Sequence, residues 1–173
     1  IGGGAIVDGH QLRGTAGYAG ELGHIRIATS DQKDFSGFSG TIEALLKRDE
    51  LLDIFGLAVA SDEELDELIQ KAQSPEAIAL IEKQIDYLAD GLSNFVTIFN
   101  PQAIVLGGFL TSLFTYDANR LLNRMRSGAV QASAERVLIR AGALGSNLMM
   151  IGAAELPFAA LIREPSSFEL VPA

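Results

Sequence analysis

Glu21 and His24 are the first pair of residues whose types and spacing could do chemistry. Two residues separate them, so a short turn would aim a carboxylate and an imidazole into one cavity. The carboxylate accepts two hydroxyl protons, while the imidazole offers one donor and one acceptor, a set that suits a polyol. The alternative is a surface glutamate beside a histidine that the backbone satisfies, and spacing alone favours this alternative.

Two groups of glycines could bring backbone N–H groups close to a ligand. Gly2, Gly3 and Gly4 precede an apolar strand and could leave N–H groups free for a phosphate or sugar oxygen. Gly107 and Gly108 stand where a predicted strand ends and a helix starts, the edge at which open α/β sheets bind ligands. Each group also has a conformational explanation, because hairpins and strand-to-helix turns need backbone angles that glycine adopts easily.

Other reactive constellations are missing or have simpler explanations. Glu43 lies on the first turn of a predicted helix, where a carboxylate favours the helix N-terminus electrostatically. Neither His10 nor His24 has a serine and an acid at a spacing that is diagnostic of nucleophilic catalysis. Two histidines without a cysteine do not make a structural zinc site. The sequence therefore indicates neither a nucleophilic enzyme nor a structural metal site.

The composition is that of an acidic globular protein. The 173 residues carry 13 basic and 22 acidic side chains, a net charge of −9, and 48% of them are hydrophobic. This content excludes a disordered chain, and scattered basic residues argue against a nucleic-acid surface in this segment. The absence of cysteine excludes disulfides and is typical of a reducing compartment, so we expect a cytoplasmic protein without a membrane span. The chain opens on Ile1, and we expect it to begin inside a larger protein.

The N-terminal part of the chain predicts a hairpin, a strand and a loop ahead of the first helix. An apolar run followed by Asp8-Gly9 predicts two strands and a turn over residues 2–14. Alternation of polar and apolar residues predicts a half-buried strand over 24–27. Residues 29–40 are polar and rich in glycine, so they form a predicted loop, and a single helix follows from Thr41.

The strongest helical pattern begins at Ser74-Pro75 and ends at Asn100-Pro101. Its apolar residues recur at steps of three and four: Ile78, Ile81, Ile85, Leu88, Leu92, Phe95 and Phe99. This stripe, from Ile78 to Phe99, predicts a long helix that faces the core or a second subunit.

The C-terminal part of the chain alternates between strands and helices. Residues 103–106 predict a strand that is buried on both faces, and a helix is predicted over 110–126. A second strand over 136–141 and a final helix over 146–162 follow, and the tail after Pro165 is predicted to be loosely held. Strand, helix, strand and helix in this order indicate an α/β layer fold.

Several segments match sequence motifs of a known family. Ile1 to Gly9 is similar to the hairpin motif G-I-G-G-G-I-[IV]-x-[DN]-G, and Gly14 through His24 is similar to R-G-x-x-G-x-A-G-E-[IL]-G-H. Phe99 to Gly108 is similar to F-[ND]-P-x-x-[IV]-[IV]-[IL]-G-G, and Gly152-Ala153-Ala154 resembles the start of a closing helix. The chain thereby resembles the ROK family of bacterial sugar-responsive repressors, open reading frames and sugar kinases. The resemblance covers nearly the whole chain, but only the C-terminal part of a family protein.

The resemblance implies a sugar site and a modified zinc loop. In the family, the two residues that match Glu21 and His24, and the one that matches Glu43, contact sugar hydroxyls. The family's zinc loop, C-x-C-G-x-x-G-C-x-E, is here D-F-S-G-F-S-G-T-I-E over residues 34–43. Its three thiolates are replaced by aspartate, serine and threonine, which are poor ligands for a soft tetrahedral site. We therefore predict no structural zinc.

The loss of the thiolates carries two expectations for the sugar site. In zinc-bearing relatives the histidine is also a metal ligand, so His24 is expected to be freer to titrate and to move. Without the metal, the loop over residues 29–41 is expected to be held less firmly, and the sugar contacts beside it to be less preorganised. This puts Glu43 in more doubt as a sugar ligand than Glu21.

The resemblance also implies a fold and a function. Residues 1–173 are expected to form one α/β lobe, the C-terminal lobe of an actin-like, hexokinase-like (ribonuclease H-like) ATPase fold with a mixed sheet flanked by helices. The expected function is the sugar-sensing, effector-binding and dimerisation domain of a ROK-type transcriptional regulator. Its partners are a sugar or amino sugar, DNA through an N-terminal domain outside this chain, and a second copy packed against the Ile78 to Phe99 stripe.

A sugar kinase is the alternative expectation, and ATP with Mg²⁺ is a cofactor only in that case. The family kinases' D-x-G-x-T loop and their Asn-Asp pair lie outside residues 1–173, so this chain alone is expected to lack phosphoryl transfer activity. Phe109 follows the Gly107-Gly108 pair where family kinases commonly have a third glycine, and its ring would crowd an adenine. This favours the regulator. A structural or dimerisation module without a ligand is the third possibility.

Overall fold

The computed structural model describes residues 1–165, apart from the side chains of Ser146 and Ala160. Eight helices lie in this range: α1 (Ile42–Leu45), α2 (Arg48–Ile54), α3 (Asp62–Gln70), α4 (Pro75–Phe99), α5 (Phe109–Tyr116), α6 (Ala118–Gly128), α7 (Gln131–Ala134) and α8 (Leu148–Arg163). The strands are β1 (Ile6–Val7), β2 (His10–Gln11), β3 (Ala103–Leu106) and β4 (Leu138–Ala141). Short 3₁₀ turns span Leu22–His24 and Gly145–Asn147. The predicted loose tail lies outside the described residues.

The strands form two small sheets. Strands β1 and β2 pair antiparallel, and the turn residues Asp8 and Gly9 have φ angles of 50° and 77°, which confirms the predicted hairpin. Strands β3 and β4 pair parallel, with Ala103 opposite Leu138. The predicted α/β class is confirmed, but within residues 1–165 the expected mixed sheet is two separate pairs of strands.

Helix α4 organises the core, and its predicted bounds are confirmed. It begins where the Ser74 side chain accepts a hydrogen bond from the Ala77 N–H, and it ends at Asn100, which has a φ of 44°. Four residues of its predicted stripe are buried: Ile81, Ile85, Leu88 and Leu92. They pack in one cluster with residues of α2, α3, α5 and α6.

Helix α6 covers another part of α4, and arginines fix the two helices together. Arg120 donates to both oxygens of Asp86 at 2.7 and 2.8 Å, and Arg124 contacts Asp90 in the same way at 2.7 Å. The hypothesis that the stripe supplies a dimer face is therefore wrong for its central residues, because the chain's own helices already bury them.

The predicted strand over 24–27 is wrong. His24 ends a 3₁₀ turn, and within residues 24–27 Arg26 alone pairs with another strand-like residue, in an isolated bridge to Thr41. The backbone of this segment bonds to the start of α1 and to the preceding loop instead: the Ile25 carbonyl accepts from Ile42, and the Ile27 N–H donates to Gly40. The segment therefore ties the turn to α1.

Three further expectations about strands and helices are also wrong. Strand β3 is covered on one face only, since Leu106 is buried while Val105 is 63% exposed. The helix predicted over 110–126 is two helices, α5 and α6, with Asp117 between them. The Asp117 side chain accepts from the Arg120 N–H and caps α6, while its φ of −145° ends α5. Likewise, the helix predicted from Thr41 is divided into α1 and α2.

Candidate functional site

His24 is held by contacts on one nitrogen and on its ring. Its Nδ1 lies 2.9 Å from Asp34 Oδ2 and 3.8 Å from Glu43 Oε2. The rings of Phe35 and Phe38 meet the imidazole edge-on, with centroids 5.2 and 5.9 Å away. The side chain is 21% exposed. Within residues 1–165 no hydrogen bond reaches Nε2.

Asp34 is the centre of a buried hydrogen-bond network. Its Oδ2 accepts from His24 Nδ1 and from the Thr41 hydroxyl, both at 2.9 Å. Its Oδ1 accepts from the backbone N–H groups of Ser36 and Phe38 at 3.0 and 2.9 Å. Burial acts to raise the pKa of this carboxyl, but the hydrogen bonds from His24, Phe38 and Thr41 outweigh it and lower the pKa to about 2.

Glu43 lies on the first turn of α1, close to His24. Thr41 caps this helix by accepting from the Ala44 N–H at 3.2 Å, and the same hydroxyl donates to Asp34. Glu43 Oε1 accepts from the backbone nitrogen of Ile1 at 2.7 Å. Its Oε2 is buried and has no hydrogen-bond partner within the described residues. An unpaired buried carboxylate oxygen is costly unless a donor reaches it.

Asp34 and two phenylalanine rings contact His24, and its greater freedom relative to zinc-bearing relatives stays a prediction. The expectation that the loop loses its closing contacts is wrong, because the hydrogen bonds of Asp34 close it. The physical reason is that a buried carboxylate can gather four donors, a capacity that its failure as a soft metal ligand does not remove.

Glu21 stands apart from this cluster in its contacts. It precedes the 3₁₀ turn, where its backbone carbonyl accepts from the His24 N–H at 3.2 Å, and its side chain is exposed. The structure thus brings His24 and Glu43 together and leaves Glu21 at the rim of the turn. Its role as a sugar ligand stays a prediction.

The lowered pKa of Asp34 predicts a specific acid sensitivity. A carboxyl group with a lower pKa in the folded state stabilises the fold above its unfolded-state value, and this contribution disappears as pH falls through the folded-state pKa. We expect Asp34→Asn to lower the thermal midpoint by several degrees at neutral pH. The difference from wild type should shrink between about pH 4 and pH 2, when midpoints are compared across that range.

Asp31 supplies the control for this measurement. It lies in the same loop and is exposed, so Asp31→Asn should leave the midpoint unchanged at each pH. A difference between Asp34→Asn and wild type that persists undiminished at pH 2 would contradict the lowered pKa.

The donor set does not fit the zinc site that the family resemblance implies. Ligand atoms of His24, Asp34 and Glu43 lie within 4.8 Å of one another, so three candidate ligands are close. However, Ser36 and Thr41 are neutral hydroxyls at thiolate positions, and both oxygens of Asp34 already accept two hydrogen bonds. The expected absence of zinc stays a prediction.

The glycines at the start of the chain serve close packing beside the turn. A Cβ on Gly20, whose φ is +102°, would lie 2.9 Å from the Gly3 carbonyl oxygen, and one on Gly23 would meet the Ile1 carbonyl. A Cβ on Gly3 would lie 2.8 Å from the Leu22 side chain. Close packing against Leu22 therefore explains Gly3, and the expected need for unusual backbone angles does not, because Gly3 has no positive φ. Gly2 and Gly4 have open space around them, and their role as phosphate-like contacts stays a prediction.

Gly107 and Gly108 line a cavity of about 220 Å³ at the end of β3. Gly108 adopts a φ of +58° before α5, which explains a glycine there. Three carboxylates, those of Asp62, Glu63 and Asp66, line the same cavity. Phe109 packs against the hydrophobic core and is not among the lining residues of this cavity, and the expectation that its ring would crowd an adenine stays a prediction.

Comparisons with known proteins agree on one family. A family model described as ROK family matches residues 1–159. The xylose repressor of Caldicellulosiruptor bescii is 29% identical over 142 residues, which cover 72% of this chain and 36% of the repressor. The ROK hexokinase from Thermus thermophilus is 33% identical, with a TM-score of 0.68, over 88% of this chain and 52% of the hexokinase.

A regulator of known structure has the same fold. A ROK family transcriptional regulator, a homolog of the E. coli MLC protein, superposes with a TM-score of 0.63 at 21% identity over 79% of this chain and 38% of its own. These likenesses confirm the predicted actin-like, hexokinase-like fold.

The chain spans about a third of the length of the repressors it matches. No helix within residues 1–165 is long and apolar enough to cross a membrane. Since the family model matches most of its length, the chain belongs to the ROK family.

Proposed function

We propose that this chain is the sugar-binding lobe of a ROK-type transcriptional regulator. His24 and Glu43 hold hydroxyl groups of a sugar or amino sugar, and Glu21 adds a third contact from the rim. The observation that carries the proposal is the proximity of His24 to Glu43, each with a polar side-chain atom, Nε2 and Oε2, that makes no hydrogen bond within residues 1–165.

The chemistry of these two side chains suits a polyol. A carboxylate oxygen without a donor accepts a hydroxyl proton, while Nε2 of an imidazole protonated at Nδ1 accepts another. Hydroxyl donors would therefore satisfy Glu43 Oε2 and His24 Nε2 together. A site built to hydrogen-bond a hydroxyl discriminates strongly against ligands that lack it, because its own polar groups are then left unpaired.

The cavity at Gly107 and Gly108 favours a regulator over a kinase. The phosphates of a nucleoside triphosphate in this cavity would face the carboxylates of Asp62, Glu63 and Asp66. Like charges at close range repel, and the repulsion grows as water is excluded. Arg48 lies 3.3 Å from Asp62 and offsets part of this charge only.

In the proposed mechanism the sugar links this lobe to the rest of the protein. Binding between this lobe and an N-terminal lobe would favour a closed arrangement and bias a DNA-binding segment outside the chain toward one of two states. The same protein is proposed to be a homodimer, and sedimentation of the whole protein tests this. A monomer at high concentration would contradict the dimer alone.

Calorimetry on the whole protein tests the proposed function. The panel contains xylose, glucose and N-acetylglucosamine, with a sugar alcohol as the control compound. We expect saturable binding of at least one sugar, a change in affinity for DNA when that sugar is bound, and no sugar-dependent release of ADP from ATP. If none of the sugars in the panel binds, the result would support a structural module and contradict the proposal.

A sugar kinase is the second candidate, because the hexokinase from Thermus thermophilus is 33% identical over most of this chain. The glycine pair at the end of β3 is compatible with it, since ligands bind at that edge in α/β folds. Sugar-dependent ADP release by the whole protein would establish the kinase and overturn the regulator. In that case His24 and Glu43 would still bind the sugar.

A further inference from the structure

We propose that Asp34 takes the place of a metal ion as the positioning residue of the sugar site. Its carboxylate holds the His24 ring directly and holds the helix that carries Glu43 through Thr41. The inference rests on the proposed function in one respect only, namely that His24 and Glu43 contact the sugar. The hydrogen bonds that carry it are independent of any ligand.

The positions that Asp34 connects are the positions of the lost zinc ligands. By the family resemblance, relatives place thiolates at residues 34, 36 and 41 and a metal-bound histidine at 24. Here the carboxylate at 34 accepts from the His24 ring, from the backbone N–H of Ser36 and from the Thr41 hydroxyl. The Asp34 carboxylate therefore connects its own position to residues 24, 36 and 41, the same four positions that a zinc ion connects in the relatives.

Both carboxylate oxygens of Asp34 have their hydrogen-bonding capacity used within the protein. Its side chain has no exposed surface, and each of its oxygens accepts two hydrogen bonds at 2.9 to 3.0 Å. A buried carboxylate without such donors would carry a large desolvation cost. Because the acceptor capacity is used within the protein, the carboxylate has little left to offer a metal ion.

The Asp34 contact fixes which nitrogen of His24 is presented to a ligand. An ionised carboxylate only accepts hydrogen bonds, so Nδ1 carries the proton and Nε2 is the acceptor of the neutral ring. Phe35 and Phe38, which flank the imidazole, come from the same loop as Asp34. The loop therefore sets both the direction of the ring and its tautomer.

Thr41 extends the same control to Glu43. Its hydroxyl donates to Asp34 and accepts from the Ala44 N–H, so one atom belongs both to the network and to the cap of α1. Glu43 is two residues beyond this cap. A shift of Asp34 would thus move both sugar-binding side chains, which a purely local structural role would not do.

The first experiment is on the wild-type whole protein. Elemental analysis should find no stoichiometric zinc, and a chelator should leave sugar affinity unchanged. Nitrogen NMR of the His24 ring, assigned by loss of its signals in His24→Asn, should show the Nδ1-protonated tautomer. Stoichiometric zinc that a chelator removes together with sugar binding would overturn the proposal, as would the opposite tautomer.

Variants then separate positioning from general stability. Asp34→Asn should weaken sugar binding by about tenfold and change the His24 tautomer, while Asp31→Asn in the same loop changes neither. If Asp34→Asn fails to fold, Thr41→Ser and Thr41→Val form a second pair. The serine keeps the hydroxyl and the affinity, whereas the valine loses both. Equal affinities in the two Thr41 variants would overturn the relay to Glu43.

A rebuilt thiolate set tests the exchange of carboxylate for metal directly. The triple variant Asp34→Cys, Ser36→Cys and Thr41→Cys should bind zinc at one ion per chain and retain sugar affinity that a chelator now abolishes. Failure to bind zinc would overturn the equivalence of the two arrangements. If wild type binds no sugar while Asp34→Asn still changes the His24 tautomer, the proposed function fails and the positioning role stands.

Discussion

Replacing Ile85 by alanine should lower the free energy of unfolding by about 2–5 kcal/mol. Ile85 has no exposed surface and lies in the core cluster on the inner face of α4. The loss combines apolar area returned to water with a cavity that the packed surroundings fill only in part. Chemical denaturation of the whole protein, with hydrogen exchange of the α4 amides as the readout, measures this change in the lobe that contains α4.

Ile98 provides a matched control on the same helix. It is the same residue type but is 62% exposed, so Ile98→Ala should change the unfolding free energy by about 0.5 kcal/mol or less. Comparable losses at the two positions would contradict the assignment of the inner face of α4.

The elements that the sequence predicted well are those specified by local patterns. The stripe repeats its apolar residues at helical spacing along most of α4, a helix of 25 residues whose ends carry a serine cap and an asparagine in the left-handed region. The hairpin depends on Asp8-Gly9, whose conformation hardly depends on the rest of the fold.

The elements that the sequence predicted poorly depend on neighbours distant in the chain. An apolar run such as that of β3 indicates a strand, but how many of its faces are covered depends on what lies beside it. Val105 is exposed although it is as apolar as its buried neighbour Leu106. The break between α5 and α6 had a local signal, since Asp117 is a favoured helix cap, but the apolar run around it concealed the signal.

The candidate site was predicted in part for a similar reason. His24 and Glu43 were identified from motif positions, and the structure places them side by side. Asp34 was interpreted only as a lost thiolate, because residue type states what a side chain can bind and not which donors surround it. Four donors from three parts of the loop and the turn meet at Asp34 only after folding.

Replacing His24 by asparagine should weaken sugar binding by about ten- to a hundredfold, as measured by calorimetry. The asparagine amide can still donate to Asp34 from near the position of Nδ1, but it has no atom in the place of Nε2. The variant should therefore fold with a thermal midpoint close to wild type and lose only the ligand contact. Glu43→Gln keeps the shape of the side chain and removes its charge, and it should weaken binding to a similar extent.

His10 is the matched control, because it is the other histidine of the chain and is exposed on the hairpin. Within residues 1–165 the one hydrogen bond of its ring joins Nδ1 to the Asp8 carbonyl oxygen in its own turn, so His10→Asn should leave sugar affinity unchanged. Equal weakening by the two histidine variants would show that the loss is not specific to the site. Within the described residues, His24 is the imidazole that lies beside carboxylates, at Asp34 and Glu43. Unchanged affinity in His24→Asn would therefore mean that the sugar is bound at another site.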